Sequence, residues 1–392
     1  MIDASPADES GRTGRPSAPA SHRDGLAALA ITFLRLGLTA FGGPAAHIAL
    51  MEHEFVQRRR WLTSSEFLDL VGAASLIPGP SSTEVAIYVG HRRAGAAGLA
   101  LAGSCFILPA ALIVSAIAWA YVRFGRLPVA SGLLHGVEPV VVAIIAQALW
   151  TFGRAALKTR LLAALGLAAL ALDLLGVSPL LLLAIAGAVS ASSRIRRAPE
   201  LPGVALPLLP LAAGTLAESV SLGKLFLVFL KAGSFVFGSG YVLLAFLRGD
   251  LVERLGWLDT KQLVDAVAVG QLTPGPVFTT ATFVGYLLRG PAGALVATVG
   301  IFLPSFLLVA ATAPLLPRLR RSRIASGFLD GVNVASLGLM AAVSAQLART
   351  AVVDALTAGI AVASLALLLR FRVNSTWLIA GGALLGVVFG AR

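Results

Sequence analysis

Apolar runs about as long as a membrane helix recur along the whole chain, and this pattern limits its folding more than any other feature. Hydrophobic residues make up 57% of the sequence and charged residues 13%, with a mean hydropathy of +0.87. A spanning helix needs about 20 mostly apolar residues, whereas a soluble domain carries about 25% charged residues. We therefore predict an all-α integral membrane protein. Its net charge of +12 is typical of basic cytoplasmic loops, so nucleic acid is not an expected partner.

The chain divides into a polar start, two apolar halves and a proline-rich connection. Residues 1–24 are polar and contain no signal-peptide core, so we expect a disordered tail. The apolar halves are residues 25–192 and 223–392. Between them, residues 193–222 combine arginines with closely spaced prolines, which cannot form a regular helix and predict a linker.

The second half repeats the first at a constant offset. Proline, tryptophan, aspartate and glycine residues coincide in the two halves, and hydrophobicity alone would not align these residue types. The matched positions include Phe41-Gly42 with Phe237-Gly238, Trp61-Leu62 with Trp257-Leu258, Asp69 with Asp265, Pro78-Gly79-Pro80 with Pro274-Gly275-Pro276, and Gly136-Val137 with Gly331-Val332. The chain is therefore predicted to consist of two homologous repeats.

In each half a Pro-Gly-Pro triplet interrupts an apolar stretch. Two prolines around a glycine cannot continue a helix, and unpaired backbone inside a membrane must be buried in protein or line a wet cavity. If each broken stretch is a re-entrant hairpin, each half spans five times and most loop Lys and Arg residues share one side of the membrane. If the stretches span as kinked helices, these residues divide almost evenly. The positive-inside rule favours the first arrangement, an inverted-topology repeat typical of secondary transporters.

The helices that begin after the two triplets are candidate anion sites. The first N–H groups of a helix have no internal partner, and the helix dipole adds partial positive charge there. Proline suits the first helical position, which we assign to Pro80 and Pro276. The alternative is that these groups only cap one another. The candidate residues are Pro78, Gly79, Pro80, Ser81, Ser82, Thr83, Pro274, Gly275, Pro276, Thr279 and Thr280.

Arg35 and Lys231 occupy matched positions inside the first apolar segment of each half. A cation at the bilayer centre costs about 2.5–3.5 kcal/mol, so it ordinarily faces a partner or a polar cavity. Two cations and two helix N-termini related by pseudo-symmetry would suit a small dianion. The alternative is a buried ion pair, for which Glu84 is the expected acid. The glycines that would shape this cavity, or only pack helices, are Gly42, Gly43 and Gly238.

Four ionisable residues are candidates for proton coupling. Asp69 and Asp265 are expected to open the first helix of each broken stretch, where an acid is ordinarily structural but, inside a membrane, could also bind a proton. Glu84 follows the first triplet, and His47 is expected to titrate near neutrality as an ordinary histidine does. The sequence has one cysteine, and its histidines are well separated except His47 and His53, so we expect neither a metal site nor another cofactor.

Three motifs resemble the chromate ion transporter family in its long, two-domain form. They are the Phe41-Gly42-Gly43-Pro44 turn followed by His47, the Arg59-Arg60-Trp61-Leu62 segment and the doubled Pro-Gly-Pro triplet. The resemblance covers about residues 26–392, but the second half has Gly238-Ser239-Gly240 in place of Gly-Gly-Pro. It implies a multi-pass protein of the bacterial inner membrane that exports chromate, driven by the membrane potential or a proton gradient, and so confers chromate resistance. Sulfate is the expected competitor, and a homodimer is compatible with this interpretation.

The residues leave three other functions open. The first is transport of sulfate or another oxyanion, since chromate and sulfate share a tetrahedral shape and a charge near −2. The second is an intramembrane enzyme acting on lipid phosphates, with Ser81 or Ser82 as nucleophile and His47 as base. The third is a passive channel. The chain has no G-x-x-x-x-G-K-[ST] loop, so active transport would depend on a gradient or a partner.

Overall fold

The computed structural model describes residues 22–41, 43–125, 128–195, 220–237, 242–315, 323–371, 373 and 375–389. Every regular element in these ranges is helical, as the sequence predicts for an all-α protein. The predicted N-terminal tail and most of the predicted linker lie outside the described residues.

Seven α-helices of the first half have counterparts in the second half within the described ranges. The first half contains α1 (His22–Thr39), α2 (Gly43–Glu52) with a π-helical continuation (His53–Arg58), α3 (Ser64–Ala74), α4 (Ser81–Phe124), α5 (Pro128–Ala156), α6 (Arg160–Leu174) and α7 (Pro179–Ile195). The second contains α8 (Leu222–Phe235), α9 (Val242–Leu247) with a π-helical continuation (Arg248–Arg254), α10 (Thr260–Leu272), a 3-10 turn (Val277–Thr279), α11 (Thr280–Thr312), a 3-10 turn (Ala313–Leu315), α12 (Arg323–Ala351), α13 (Ala355–Phe371) and α14 (Ser375–Phe389).

Each of the two longest helices, α4 and α11, is a hairpin rather than one continuous rod. Gly95 has φ +57° and Gly290 has φ +61°, and both lie outside the helical region. The backbones of Gly90 and Gly98 touch, although eight residues of helix rise about 12 Å. The chain therefore folds back on itself at Gly95, and it repeats this reversal at Gly290.

The two halves interlock by exchanging packing partners. The long helix α5 of the first half packs against α13 and α14 of the second, and α12 of the second half packs in return against α6 and α7. The hairpins α4 and α11 cross each other, while α1 packs on α4 and α8 on α11. The last three helices of each half thus pack with those of the other half, and the larger core cluster contains residues of both halves.

Counting each hairpin as one helix, four helices of the described ranges are long and apolar enough to cross a membrane. They occupy matched places in the two halves, at Ser81–Phe124, Gly132–Arg154, Val277–Thr312 and Ser326–Ala351. The helix α3 has 11 residues, or about 16 Å, and is too short to cross a bilayer core of about 30 Å. The inverted orientation of the halves and the count of five spans in each stay predictions.

The helices α3 and α10 begin with matched caps, and this corrects one expectation. Thr63 and Glu66 form a capping box at α3, and Asp259 and Gln262 form the equivalent box at α10. Asp265 is the sixth residue of α10, and Asp69 holds the same position in α3. The assignment of these aspartates to the opening of their helices was wrong, because the N-cap residues Thr63 and Asp259 lie six residues earlier.

The crossing of α5 and α14 depends on glycine, which leads to a stability prediction. An added Cβ on Gly382 would lie 2.5 Å from the Gly136 carbonyl oxygen, whereas one on Gly381 would meet nothing within 4 Å. Gly382→Ala should therefore destabilise the protein by about 1–3 kcal/mol through overpacking. Gly381→Ala should have no such effect, since alanine favours the helix. Thermal unfolding of the two purified variants checks this; equal melting temperatures would contradict the described crossing.

Candidate functional site

The Pro-Gly-Pro triplets form two extended breaks, one before α4 and one before the 3-10 turn that leads into α11. Gly79 has φ +135° and Gly275 has φ +88°, values that favour glycine. Pro80 and Pro276 are N-cap residues with extended backbone, so the helical residues begin at Ser81 and Val277. The expectation that these prolines hold the first helical position was therefore wrong by one residue.

Each break is hydrogen-bonded to the other half of the molecule. The Gly79 N–H donates to the Val236 carbonyl at the end of α8, with a donor–acceptor distance of 2.7 Å. The Gly275 N–H donates to the Ala40 carbonyl after α1, at 2.8 Å. Val236 and Ala40 are matched positions of the repeat. The two hydrogen bonds are therefore related by the pseudo-symmetry and connect the halves at the point where their helices are interrupted.

The break glycines also lie against the opposite hairpin. An added Cβ on Gly79 would overlap the Glu84 carboxyl and the Ser305 hydroxyl of α11. An added Cβ on Gly275 would lie 2.7 Å from the Cβ of Ala110 in α4. Each break thus contacts the second arm of the other half's hairpin, at Ser305 or Ala110, and side chains larger than hydrogen are excluded there.

Polar groups are buried at the first break without full pairing. Glu84 and Thr83 are fully buried, in the first turn of α4. The Ser305 hydroxyl donates weakly to Glu84 Oε1 at 3.5 Å. Glu84 Oε2 and Thr83 Oγ1 have no hydrogen-bond partner in the part of the chain that the structure describes. A buried carboxylate is costly unless it is paired, so Glu84 requires a proton or another cation.

The second break lacks this acid. Thr280 stands where the first half has Glu84, and its hydroxyl donates to the Val277 carbonyl at 2.8 Å. The Thr279 hydroxyl donates to the Pro276 carbonyl at the same distance. Both threonines are buried and bonded within their own turn. The two helix ends are therefore similar in backbone but differ in charge.

His47 and Ser82 are brought together next to the first break. The His47 Nδ1 and Ser82 Oγ atoms lie 3.2 Å apart, and both side chains are buried. The His47 ring also packs edge-on against Phe106, with 5.9 Å between ring centres. Gly43, with φ +81°, opens the helix that carries His47. The candidates Gly42 and Gly238 lie outside the described residues.

Arg35 lies in a pocket away from the breaks. The pocket has a volume of about 270 Å³ and is lined by Arg35, Glu54, Arg58, His53, Thr32, Thr39, Leu36 and Leu50. Gly37, two residues further along α1, packs against the α4 backbone. Residues two positions apart on a helix point about 200° apart, so Arg35 faces away from α4. The structure therefore separates Arg35 from the helix end at the break.

Lys231 has a different environment from its repeat counterpart. Its ammonium group donates to both oxygens of Asp250, at 3.0 and 2.9 Å. The Arg254 Nε atom donates to the same carboxylate at 3.1 Å. Lys231 therefore pairs with Asp250. The sequence predicted Glu84 as the acid of such an ion pair, and that assignment was wrong.

In the first half the acid pairs with Arg59, and not with Arg35, the positional counterpart of Lys231. Arg58 Nη1 and Arg59 Nε contact Glu54 at 2.9 and 2.5 Å, whereas the position matching Arg59 in the second half is Leu255. Burial acts to raise the pKa of Glu54, but the hydrogen bonds from Arg59 and Arg58 outweigh it and lower the pKa. Glu54 is therefore ionised and already paired. Among the described residues Arg35 has no ion-pair partner, and the pocket keeps a surplus of positive charge.

Asp265 contacts two residues that the motifs did not identify. Tyr121 donates its hydroxyl to Asp265 Oδ2 at 2.7 Å, and the Glu138 carboxyl of α5 lies within hydrogen-bonding reach of Asp265. Both acids are buried, whereas the counterpart Asp69 is partly exposed. Glu138 was visible in the sequence as an acid inside an apolar segment, which by itself marks a functional candidate. Its contact with Asp265 was not visible.

The described residues contain no group of three or more His, Cys, Asp and Glu side chains that could hold a metal ion. The functional groups found instead are two interlocked helix breaks, buried acids and one cationic pocket.

These features define a multi-pass membrane protein built from two homologous halves around paired helix breaks. The chromate transporter family matches residues 27–191 and again residues 223–387, and the chain belongs to this family. It is 36% identical to a chromate transport protein of Cupriavidus metallidurans over 92% of both chains. It is 35% identical to a probable chromate transport protein of Synechococcus elongatus, covering 82% of this chain and 84% of the relative.

A third relative, a chromate transport protein of Pseudomonas aeruginosa, is 33% identical over 84% of this chain and 83% of its own length. No solved structure matches the chain. The expected resemblance to the chromate transporter family is therefore confirmed, and it extends over both repeats.

The packing at the first break predicts the effect of a single methyl group. Gly79→Ala should abolish transport and lower thermal stability, because the new Cβ would overlap Glu84 and Ser305 and the positive φ adds strain of about 1–3 kcal/mol. Gly72→Ala, in the neighbouring helix α3, is the matched control, since its Cβ would meet nothing within 4 Å. Transport and melting temperature should be measured for both; a fully active Gly79→Ala protein would contradict the described contact.

Proposed function

We propose that this protein is a secondary active transporter that exports chromate across the bacterial inner membrane and so confers chromate resistance. Membership of the chromate transporter family supports the substrate. The reciprocal hydrogen bonds from Gly79 and Gly275 are the observation that carries the proposed mechanism. They connect the interrupted backbone of each half to the first helix of the other, so a movement between the halves must rearrange both breaks together.

Such a coupled pair of breaks suits alternating access. Inverted repeats with interrupted helices place the substrate site between two halves that rock against each other. Here each broken stretch lies on the opposite hairpin, and the last three helices of each half are exchanged. We infer that the halves have opposite orientations in the membrane and that the Pro-Gly-Pro stretches are re-entrant.

Arg35 is our proposed first contact for the anion. Its guanidinium lines a pocket with Arg58 and two threonines, and Glu54 is neutralised by its own arginines. Arginine binds tetrahedral oxyanions through paired N–H donors, and a surplus of positive charge suits a dianion. We place the later binding steps at Ser81, Ser82 and Thr83 and at the N–H groups of the first helix end, with Thr279 and Thr280 on the opposite side.

Glu84 is the proposed coupling residue at the break. Its carboxyl contacts Gly79 in its own break and Ser305 in α11 of the other half, and one of its oxygens lacks a partner within the described residues. A dianion next to an ionised Glu84 would be repelled, whereas a protonated Glu84 could donate a hydrogen bond to it. Proton binding at Glu84 would in this way be linked to anion binding.

A second candidate function is favoured by one contact. The 3.2 Å separation of His47 Nδ1 and Ser82 Oγ is compatible with a base and a nucleophile, as an intramembrane phosphate-processing enzyme would require. Ser82→Ala separates the two functions, because it removes the nucleophile but only one hydroxyl from the anion path. Full chromate export by this variant would reject the enzyme.

The pocket gives a direct prediction for Arg35. Arg35→Gln should raise the KM for chromate roughly 10–100-fold, since a hydrogen bond to a charged group is worth about 1.5–3 kcal/mol. Lys231→Gln should lower the yield of folded protein instead, because it leaves the buried Asp250 with fewer partners. Flux in vesicles containing equal amounts of protein measures KM. An unchanged KM in Arg35→Gln would remove this residue from the anion path.

Everted vesicles test transport, direction and coupling in one assay. Labelled chromate should accumulate inside them against its gradient under an imposed pH or voltage gradient, and an uncoupler should abolish this accumulation. Downhill flux that ignores the uncoupler would indicate a channel. Excess sulfate should compete, and sulfate uptake with no chromate uptake would assign the protein to sulfate.

The same vesicles test Glu84. Glu84→Gln should lose uphill accumulation and keep chromate exchange, because the amide imitates a permanently protonated carboxyl. Glu253→Gln, an exposed acid on the π-helical turn after α9, is the control and should behave as wild type. If Glu84→Gln retains uphill transport, the coupling group lies elsewhere.

A further inference from the structure

Two buried carboxyl groups from different halves meet between α5 and α10. Glu138 and Asp265 lie within hydrogen-bonding reach of each other, and Asp265 is fully buried. Tyr121 of α4 donates to Asp265 Oδ2 at 2.7 Å, and its ring packs against Phe283 with 5.2 Å between ring centres. The tyrosine is therefore held in place and occupies one oxygen of the aspartate.

The second oxygen of this aspartate, Oδ1, is buried and lacks a hydrogen-bond partner within the described ranges. Ionised carboxylates only accept hydrogen bonds, and two negative charges in contact away from water repel each other strongly. One proton placed between the two carboxyls would satisfy Oδ1 and remove one charge.

We propose that Glu138 and Asp265 form a shared proton-binding site whose occupancy holds the two halves together. With a proton the pair is a hydrogen-bonded monoanion, which Tyr121 stabilises. Without it, the carboxylates repel, and α5 of the first half separates from α10 of the second. The proton therefore binds more tightly to the state in which these helices touch, which is the condition for coupling proton binding to a conformational change.

Two charged residues at the start of α10 act on the carboxyl pair. Lys261 lies one turn before Asp265 on α10 and is exposed, and Asp259 caps the same helix. Lys261 attracts negative charge on the pair, whereas Asp259 opposes it. Asp265 therefore lies about 6 Å along the helix axis from the exposed Lys261.

The repeat lacks an equivalent site. The position matching Glu138 in the second half is Asn333, next to the matched Gly331-Val332 pair. An amide can donate an N–H group to a carboxylate without any proton uptake. Glu138 and Asp265 are both acids, whereas the matched positions in the repeat are Asn333 and Asp69. This proton site is therefore specific to one of the two interfaces that the pseudo-symmetry would allow.

Infrared titration of the purified full-length protein, without chromate, tests proton binding itself. Wild type should show a protonated-carboxyl band that disappears as the pH rises. Glu138→Gln and Asp265→Asn should each remove one component of it. Glu84 is expected to contribute a separate component, so the assigned one must persist in Glu84→Gln and in the exposed control Glu253→Gln. A spectrum unchanged in both Glu138→Gln and Asp265→Asn would overturn the proposal.

A distance measurement tests the link to conformation. Cys105 is the only cysteine, so Cys105→Ser with Leu133→Cys on α5 and Glu253→Cys near α10 accepts two spin labels at exposed positions. The distance between the labels should increase with pH in this background. Adding Glu138→Gln should abolish the increase, because the amide donates permanently to Asp265. The same pH response with and without Glu138→Gln would contradict a shared proton.

The role in coupling rests on the proposed transporter function, but proton binding does not. A protein that shows the band and the distance change but moves no chromate keeps the proton site and rejects the proposed function. A protein that exports chromate without either signal rejects the proton site alone.

Discussion

The hydrogen bonds from the glycine N–H groups of the two Pro-Gly-Pro breaks organise the rest of the molecule. A helix interrupted inside a membrane leaves backbone groups that water cannot satisfy, so protein groups must supply their partners. Here the partner is in each case a carbonyl at the end of the other half's first helix. Each half therefore depends on the other for the hydrogen bond at its break, and α4 packs against α11 where the halves meet.

On this symmetric backbone the charges are asymmetric. The first half carries Glu84 where the second has Thr280, and Arg59 where the second has Leu255. Each difference changes what a neighbouring group can do. Glu84 leaves a buried acid in need of a proton, and Arg59 neutralises Glu54 and so leaves Arg35 available. Duplication thus supplies two similar frames, and single substitutions give them different chemistry.

The sequence predicted much of the fold and part of the candidate site. Apolar runs predicted helices because transfer into the membrane favours them, and Pro-Gly-Pro predicted the two breaks because it cannot continue a helix. The matched glycine, proline and tryptophan positions predicted the two repeats. The isolated charge at Arg35 was identified as a candidate, and its place in the anion path stays a prediction. Its separation from the break was not predictable, since that depends on which side of α1 faces the hairpin α4. The ion pair of Lys231 with Asp250 was missed because the two residues meet only after α9 folds back on α8.

Sequence alone determined that this chain is a helical membrane protein made of two related halves and that it belongs with the chromate transporters. Those conclusions depend on the hydrophobicity of segments, the conformational limits of proline and glycine, and motifs at fixed spacing. Only the tertiary structure decided that each break bonds to the opposite half, and that Glu138 meets Asp265. These contacts join residues more than a hundred positions apart, and their formation depends on how whole helices pack rather than on any local preference.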